Sequence, residues 1–250
     1  MRLSCLLCRA GRAQGLELGG KDPAYIASDA DLEYAIANVV DGGMYNAGQS
    51  CCAVERVYVH EKHYDAFLSG AAKLLNEYKL GNPLADSTSM GPIAQPRHVA
   101  FLQGQVDEAV KAGARLVAGG RSTHDSQGKG RFFQPTLLAD CTPRMRVVSE
   151  ESFGPILAVA SVRDDAEAIR LMNDSDFGLT ASVWSGDIER ATRLAEQINA
   201  GTVFMNRCDF LDPYLAWSGR KDSGKGIGLS THGFAPFVRT KSWNFRPNTK

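Results

Sequence analysis

At 250 residues, 44% of them hydrophobic, the chain can hold one large domain or two small ones around a sizeable core. Its 28 Lys and Arg balance 28 Asp and Glu, so no long-range field favours nucleic acid or an anionic membrane, and small neutral substrates are the better fit. No uninterrupted apolar run approaches the roughly 20 residues of a membrane helix, and a soluble protein is expected.

The first fourteen residues contain arginine, no acid and a short apolar patch, Leu3 to Leu7, too brief for a secretory signal and only weakly like a mitochondrial presequence. Cys5-Leu6-Leu7-Cys8 has neither a second pair nor a histidine at ligand distance, so no metal site is assigned. The six cysteines (Cys5, Cys8, Cys51, Cys52, Cys141, Cys208) are irregularly spaced and do not form a disulfide framework. A reducing compartment, the cytoplasm, is the expected setting.

Leu16 to Pro23 places Glu17 between two leucines and follows it with Gly19-Gly20, which lets the backbone turn sharply or approach a ligand. Such a glutamate either stands half-buried, an environment that suits a general base, or ends a strand in water. Ala24 to Ala27 reads as a strand and Ser28 or Asp29 as the cap of the next helix. That helix carries Leu32, Ile36, Val39, Val40, Met44 and Ala47 on one face and stops at Gly48.

Gln49 to Cys52 then form the exit into a strand at Arg56 to His60. A thiol there is rigidly held and accessible, so Cys51 is a candidate nucleophile; the competing reading makes Cys51 and Cys52 small core residues. His60 and His63 are three apart at a strand end and do not match a zinc-protease helix.

Further along, helices are predicted over His63 to Leu80 and from Pro96, followed by a strand at Arg115 to Ala118 and a Gly-rich connector, Gly119 to Gly130. Phe132 to Leu138 is extended but broken by Pro135, which predicts an edge strand or a surface crossing. Glu150 and Glu151 precede Phe153-Gly154-Pro155; neighbours in extended chain point apart, so at most one of the acids faces any site. Ile156 to Val162 is the most continuous apolar strand, suited to a parallel sheet covered on both faces. Helix, strand, helix and strand follow at Asp164 to Asn173, Leu179 to Trp184, Asp187 to Ile198 and Gly201 to Asn206.

From Arg207 to Thr231 the pattern breaks into a Gly-rich, aromatic segment that includes Trp217. Gly224-Lys225-Gly226-Ile227-Gly228 has no strand leading into it and is not a dinucleotide loop. Phe237 to Phe245 alternates as a half-exposed strand would, one that could pair with another subunit.

With Glu17 in ELGGK, Cys51 in GQSCCAVERVYV and Glu151 with Phe153 in EESFGP, the chain resembles the NAD(P)-dependent aldehyde dehydrogenases over about Leu16 to Phe245. The resemblance implies an α/β catalytic domain at 15–231, a parallel sheet with flanking helices, and a C-terminal oligomerisation strand and tail at 232–250, with 1–14 outside the family. It implies that Cys51 is the nucleophile, Glu17 the general base, and Glu151 and Phe153 contacts to the nicotinamide-ribose end of NAD or NADP. Trp217 and the Arg207 to Leu211 loop fall where the family builds its pocket for a small aldehyde.

The family's large dinucleotide-binding portion is missing from the sequence, and Gly228 replaces a family acid. Three readings follow: a dehydrogenase, a truncated non-catalytic chain that forms homo-oligomers or joins full-length homologues, and a cofactor-independent thiol esterase.

Overall fold

The computed structural model describes residues 15–247 apart from 125–127 and 129; the Cys5 and Cys8 pair and the leader-like segment lie outside the described residues. β-Branched and small apolar runs alternate with amphipathic helices, and the order follows. First come β1 (Leu16–Glu17), β2 (Asp22–Ile26), α1 (Leu32–Met44), β3 (Val54–His60), α2 (Tyr64–Glu77) and α3 (Pro96–Lys111). Then come β4 (Arg115–Ala118), β5 (Ser122–Thr123), β6 (Phe132–Phe133), β7 (Thr136–Ala139), α4 (Arg146–Ser149), β8 (Ile156–Val162) and α5 (Asp165–Asn173). The last elements are β9 (Phe177–Gly178), β10 (Thr180–Trp184), α6 (Ile188–Ala195), β11 (Thr202–Met205), β12 (Arg220–Lys221) and β13 (Gly224–Lys225).

Seven strands make one sheet in the order β11-β10-β2-β3-β8-β7-β4, parallel throughout except for antiparallel β4. Period-two alternation divides each central strand between two cores. Ala24 and Ile26 of β2 and Val57 and Val59 of β3 pack with α1 and α2, while Tyr25 and Tyr58 face Ile169, Leu171 and Leu194 of α5 and α6. A third cluster seats α3 through Leu102 and Val106 against Leu138, Val147 and Ile156. The sheet is therefore covered on both faces, as the apolar run of β8 requires.

Four expectations change. β7 is an interior strand between β8 and β4, not an edge or a surface crossing: Pro135 falls just before it, where no ladder hydrogen bond is lost. The cap of α1 is Asp31, whose side chain accepts from the Tyr34 N–H; Asp29 instead pairs with Arg190. α1 ends at Met44, and Asn46, Ala47 and Gly48 follow with φ of 51°, 57° and 68°. At the carboxyl end, Thr231–Phe237 is a 3-10 helix and residues 238–247 contain no strand. An alternating segment becomes a strand only when another edge satisfies its backbone groups, and no strand among the described residues pairs with this one.

Candidate active site at the amino ends of three adjacent strands

The three motif segments each lead into a strand: Glu17 to Lys21 into β2, Gln49 to Ala53 into β3, and Glu151 to Pro155 into β8. Because β2, β3 and β8 are parallel neighbours, their amino ends share one sheet edge. Open α/β sheets ordinarily bind ligands beyond the carboxyl ends. Here the motif residues gather at the opposite end.

Close backbone contacts hold these segments together. A Cβ on Gly20 would fall 2.2 Å from the Cys51 carbonyl oxygen, and one on Gly48 would fall 2.2 Å from that of Gly154. Only glycine permits either approach, and Gly48 also has the left-handed φ that glycine tolerates best.

Cys51 is half-buried and packs with Cys52, Leu179 and Trp217. Hydrogen bonding from the Cys52 thiol lowers its pKa to about 7, against partial burial and the charges of Glu17 and Glu151, with its own backbone amide helping to lower it. The Cys52 thiol has one proton, however, and Asp209 Oδ1 lies 2.8 Å from its sulfur. Asp209 also accepts from the Ser50 hydroxyl at 3.2 Å, so the loop after β11 is tied to the cysteine loop. Hydrogen bonding to Cys51, burial and Asp209 all push the Cys52 thiol upward; burial pushes Cys141 and Cys208 up to about 12.

Glu17 pairs through β1 with Gly224 of β13 and is exposed, so the expected half-burial is not found: a two-stranded ribbon leaves that side chain outside the sheet's cores. It borders a largely apolar cavity of about 880 Å³ with Trp217, Gly228, Leu229 and Phe234; Cys51 does not line that cavity. A Cβ on Gly228 would stand 3.8 Å from Glu17 Oε1, so the glycine that departs from the family pattern lies directly beside the candidate base.

The two neighbouring acids do point apart. Glu150 pairs with Arg146 on the surface, while Glu151 Oε1 accepts from the Gly20 N–H at 3.0 Å, and burial raises its pKa. Phe153 is partly exposed at φ 49°, a left-handed conformation that costs a bulky residue energy.

Lys21, Glu55, Ser152, His98 and Asp209 were not singled out in the sequence, and all five touch these loops. Lys21 Nζ forms an ion pair with Glu55 Oε2 and donates to Ser152 Oγ at 2.9 Å. Glu55 also accepts from the Ser152 and Phe153 N–H groups, each at 2.8 Å. His98 of α3 contacts the Ser152 and Phe153 carbonyls at 2.9 and 3.0 Å. The available signal was a glutamate inside the β-forming run Val54-Glu55-Arg56-Val57, since a charge in a buried strand requires a partner.

The family model described as aldehyde dehydrogenase family matches residues 8–243. The chain belongs to the aldehyde dehydrogenase family. Among aldehyde dehydrogenases it is 38% identical over 230 residues to betaine aldehyde dehydrogenase of Bacillus subtilis, covering 90% of this chain and 46% of the relative. It is also 38% identical over 226 residues to an NADP(+) succinate-semialdehyde dehydrogenase of Deinococcus radiodurans, covering 90% of this chain and 47% of that relative. A betaine aldehyde dehydrogenase double mutant from Staphylococcus aureus, solved with NAD+, superposes with a TM-score of 0.87 at 37% identity, covering 91% of this chain and 46% of the other. The chain thus spans about half the length of the aldehyde dehydrogenases it matches.

Proposed function

We propose that this chain carries the catalytic residues of an aldehyde dehydrogenase that oxidises a small aldehyde to a carboxylic acid with NAD or NADP. The single observation that carries the reading is the gathering of Cys51, the Gly19-Gly20 turn behind Glu17, and the Glu151 to Phe153 turn at the amino ends of β2, β3 and β8. Hydrogen bonding from the Cys52 thiol and from its own amide favours the Cys51 thiolate, the nucleophilic form.

In this mechanism the Cys51 thiolate attacks the aldehyde carbon to form a thiohemiacetal. Its oxyanion needs N–H donors, and the backbone amide of Cys51 is one candidate. When bound, the nicotinamide supplies the hydride acceptor. Loss of hydride leaves a thioester on Cys51; Glu17 takes a proton from water, which attacks the thioester carbon and returns the thiolate as the acid leaves. Exposure of Glu17 to the cavity beside Trp217 suits a group that must meet water.

Glu151 and Phe153 fit a ribose and nicotinamide end. The carboxylate gives one oxygen to Gly20 and has a second for a hydroxyl, and a strained, partly exposed aromatic is typical of a ligand-facing turn. The test is reduction of NAD and of NADP with simple aliphatic aldehydes, followed by nicotinamide absorbance. Turnover that falls to background in Cys51→Ala and in Glu17→Gln is expected; turnover unchanged in Cys51→Ala would sink the mechanism.

A second reading, a non-catalytic chain that associates with itself or with full-length homologues, is supported by the exposed Phe234, Phe237, Trp243 and Phe245 near the carboxyl end. Mixing with a full-length relative and size-exclusion chromatography tests it, and separate elution removes it.

A further inference from the structure

We infer that Glu55, held in place by Lys21, is a positioning residue that sets the Glu151 to Phe153 turn against the cysteine loop, an inference that rests on the dehydrogenase reading above. Glu55 stands four residues after Cys51, at the start of β3, and both it and Lys21 are buried. Its carboxylate uses Oε1 for the Phe153 N–H and Oε2 for the Ser152 N–H and the Lys21 ammonium. Lys21 closes the loop by donating to Ser152 Oγ, and it directly follows Gly20, whose N–H holds Glu151.

One carboxylate therefore joins all three motif segments. The need for it is visible in the turn. Phe153 holds φ 49°, which persists only where the surroundings over-determine it. Its N–H donates to Glu55 Oε1, and its carbonyl lies 3.0 Å from Nε2 of His98 on α3. A charge in a dry strand end is otherwise unfavourable, and here the Lys21 ammonium and the Ser152 and Phe153 N–H groups together satisfy the Glu55 carboxylate, which ties the turn to the buried pair. The arrangement makes Glu55 the acceptor that backbone N–H groups of the turn cannot find elsewhere.

The test compares Lys21→Met/Glu55→Leu with Lys21→Met/Glu55→Gln, both free of the buried charges; only the second keeps an oxygen for the turn. Amide exchange across residues 150–155 is expected to be about tenfold faster in the leucine variant, with α5 and β8 unchanged, and intermediate in the glutamine variant. The efficiency kcat/KM for NAD is expected to fall about 100-fold in the leucine variant, mostly through a higher KM for NAD and less through kcat.

Equal behaviour of the two variants overturns the inference, as does amide exchange that rises equally in β2 and α1, the mark of general loosening. If the leucine variant does not fold, the glutamine variant is compared with wild type, and unchanged exchange at both Ser152 and Phe153 overturns it. A wild-type chain that reduces no NAD removes the dehydrogenase reading instead, and the exchange contrast still decides whether Glu55 positions the turn.

Discussion

At the scale of single residues, the Cys52 proton has two acceptors within reach, the Cys51 sulfur and Asp209. Pointed at Cys51 it stabilises the thiolate; pointed at Asp209 it does not. Alkylation of the Cys51 peptide by iodoacetamide, followed by mass spectrometry across pH, is therefore expected to show a midpoint near 7 in the wild type. Cys52→Ala should raise that midpoint toward the ordinary thiol value of about 8.5, and Asp209→Ala should lower it by releasing the Cys52 proton. A midpoint indifferent to both substitutions would remove Cys52 from the chemistry. Sequence made Cys51 conspicuous through its neighbours Gly48, Gln49 and Cys52. Asp209 lies in the Arg207 to Leu211 loop that the resemblance places at the pocket, but its contact with Cys52, 157 residues away, was not legible and forms only through the loop after β11.

At the scale of elements, α5 and α6 are joined by Arg190, which pairs with Asp165 at 2.6 Å and Asp29 at 2.7 Å. Burial pushes both carboxylates up, but hydrogen bonds from Arg190 and Tyr25 outweigh it at Asp165, and the Ser185 hydroxyl and Arg190 outweigh it at Asp29, so both pKa values end below the ordinary range. Their folded-state pKa values lie below the unfolded ones, so this stability is present above the unfolded pKa and is lost as pH falls through the folded pKa. Arg190→Met is expected to cost about 2 kcal/mol at pH 7 by urea denaturation. That difference should shrink as pH falls below about 4. In α1, Asp31→Ala should cost about 1 kcal/mol through the lost cap to Tyr34, measured the same way. Helix faces such as Ile36, Val39 and Val40 are legible from period alone, whereas the cap lies two or three residues beyond the expected Asp29 or Ser28 because Ser28, Asp29 and Asp31 are equally good local caps.

At the scale of the whole molecule, Leu157 of β8 is fully buried between α1, α2 and the sheet, and Leu157→Ala should cost about 3 kcal/mol in the same urea titration. The aromatic side chains of the carboxyl-terminal segment, Phe234, Phe237, Trp243 and Phe245, are all largely exposed.

What the sequence determined by itself was the alternation of strand and helix, because period and turn chemistry are encoded within a few residues, while Cys51, Glu17 and Glu151 stood out as candidates through the resemblance of their segments to the family. Strand order was decided only by the tertiary structure. β3 pairs with β2 and β8, and β8 lies nearly 100 residues downstream, so no local pattern could place Glu151 beside Gly20 or Glu55 beneath Phe153. A parallel sheet assembles its edge from segments far apart in sequence, and the candidate site exists only on that edge.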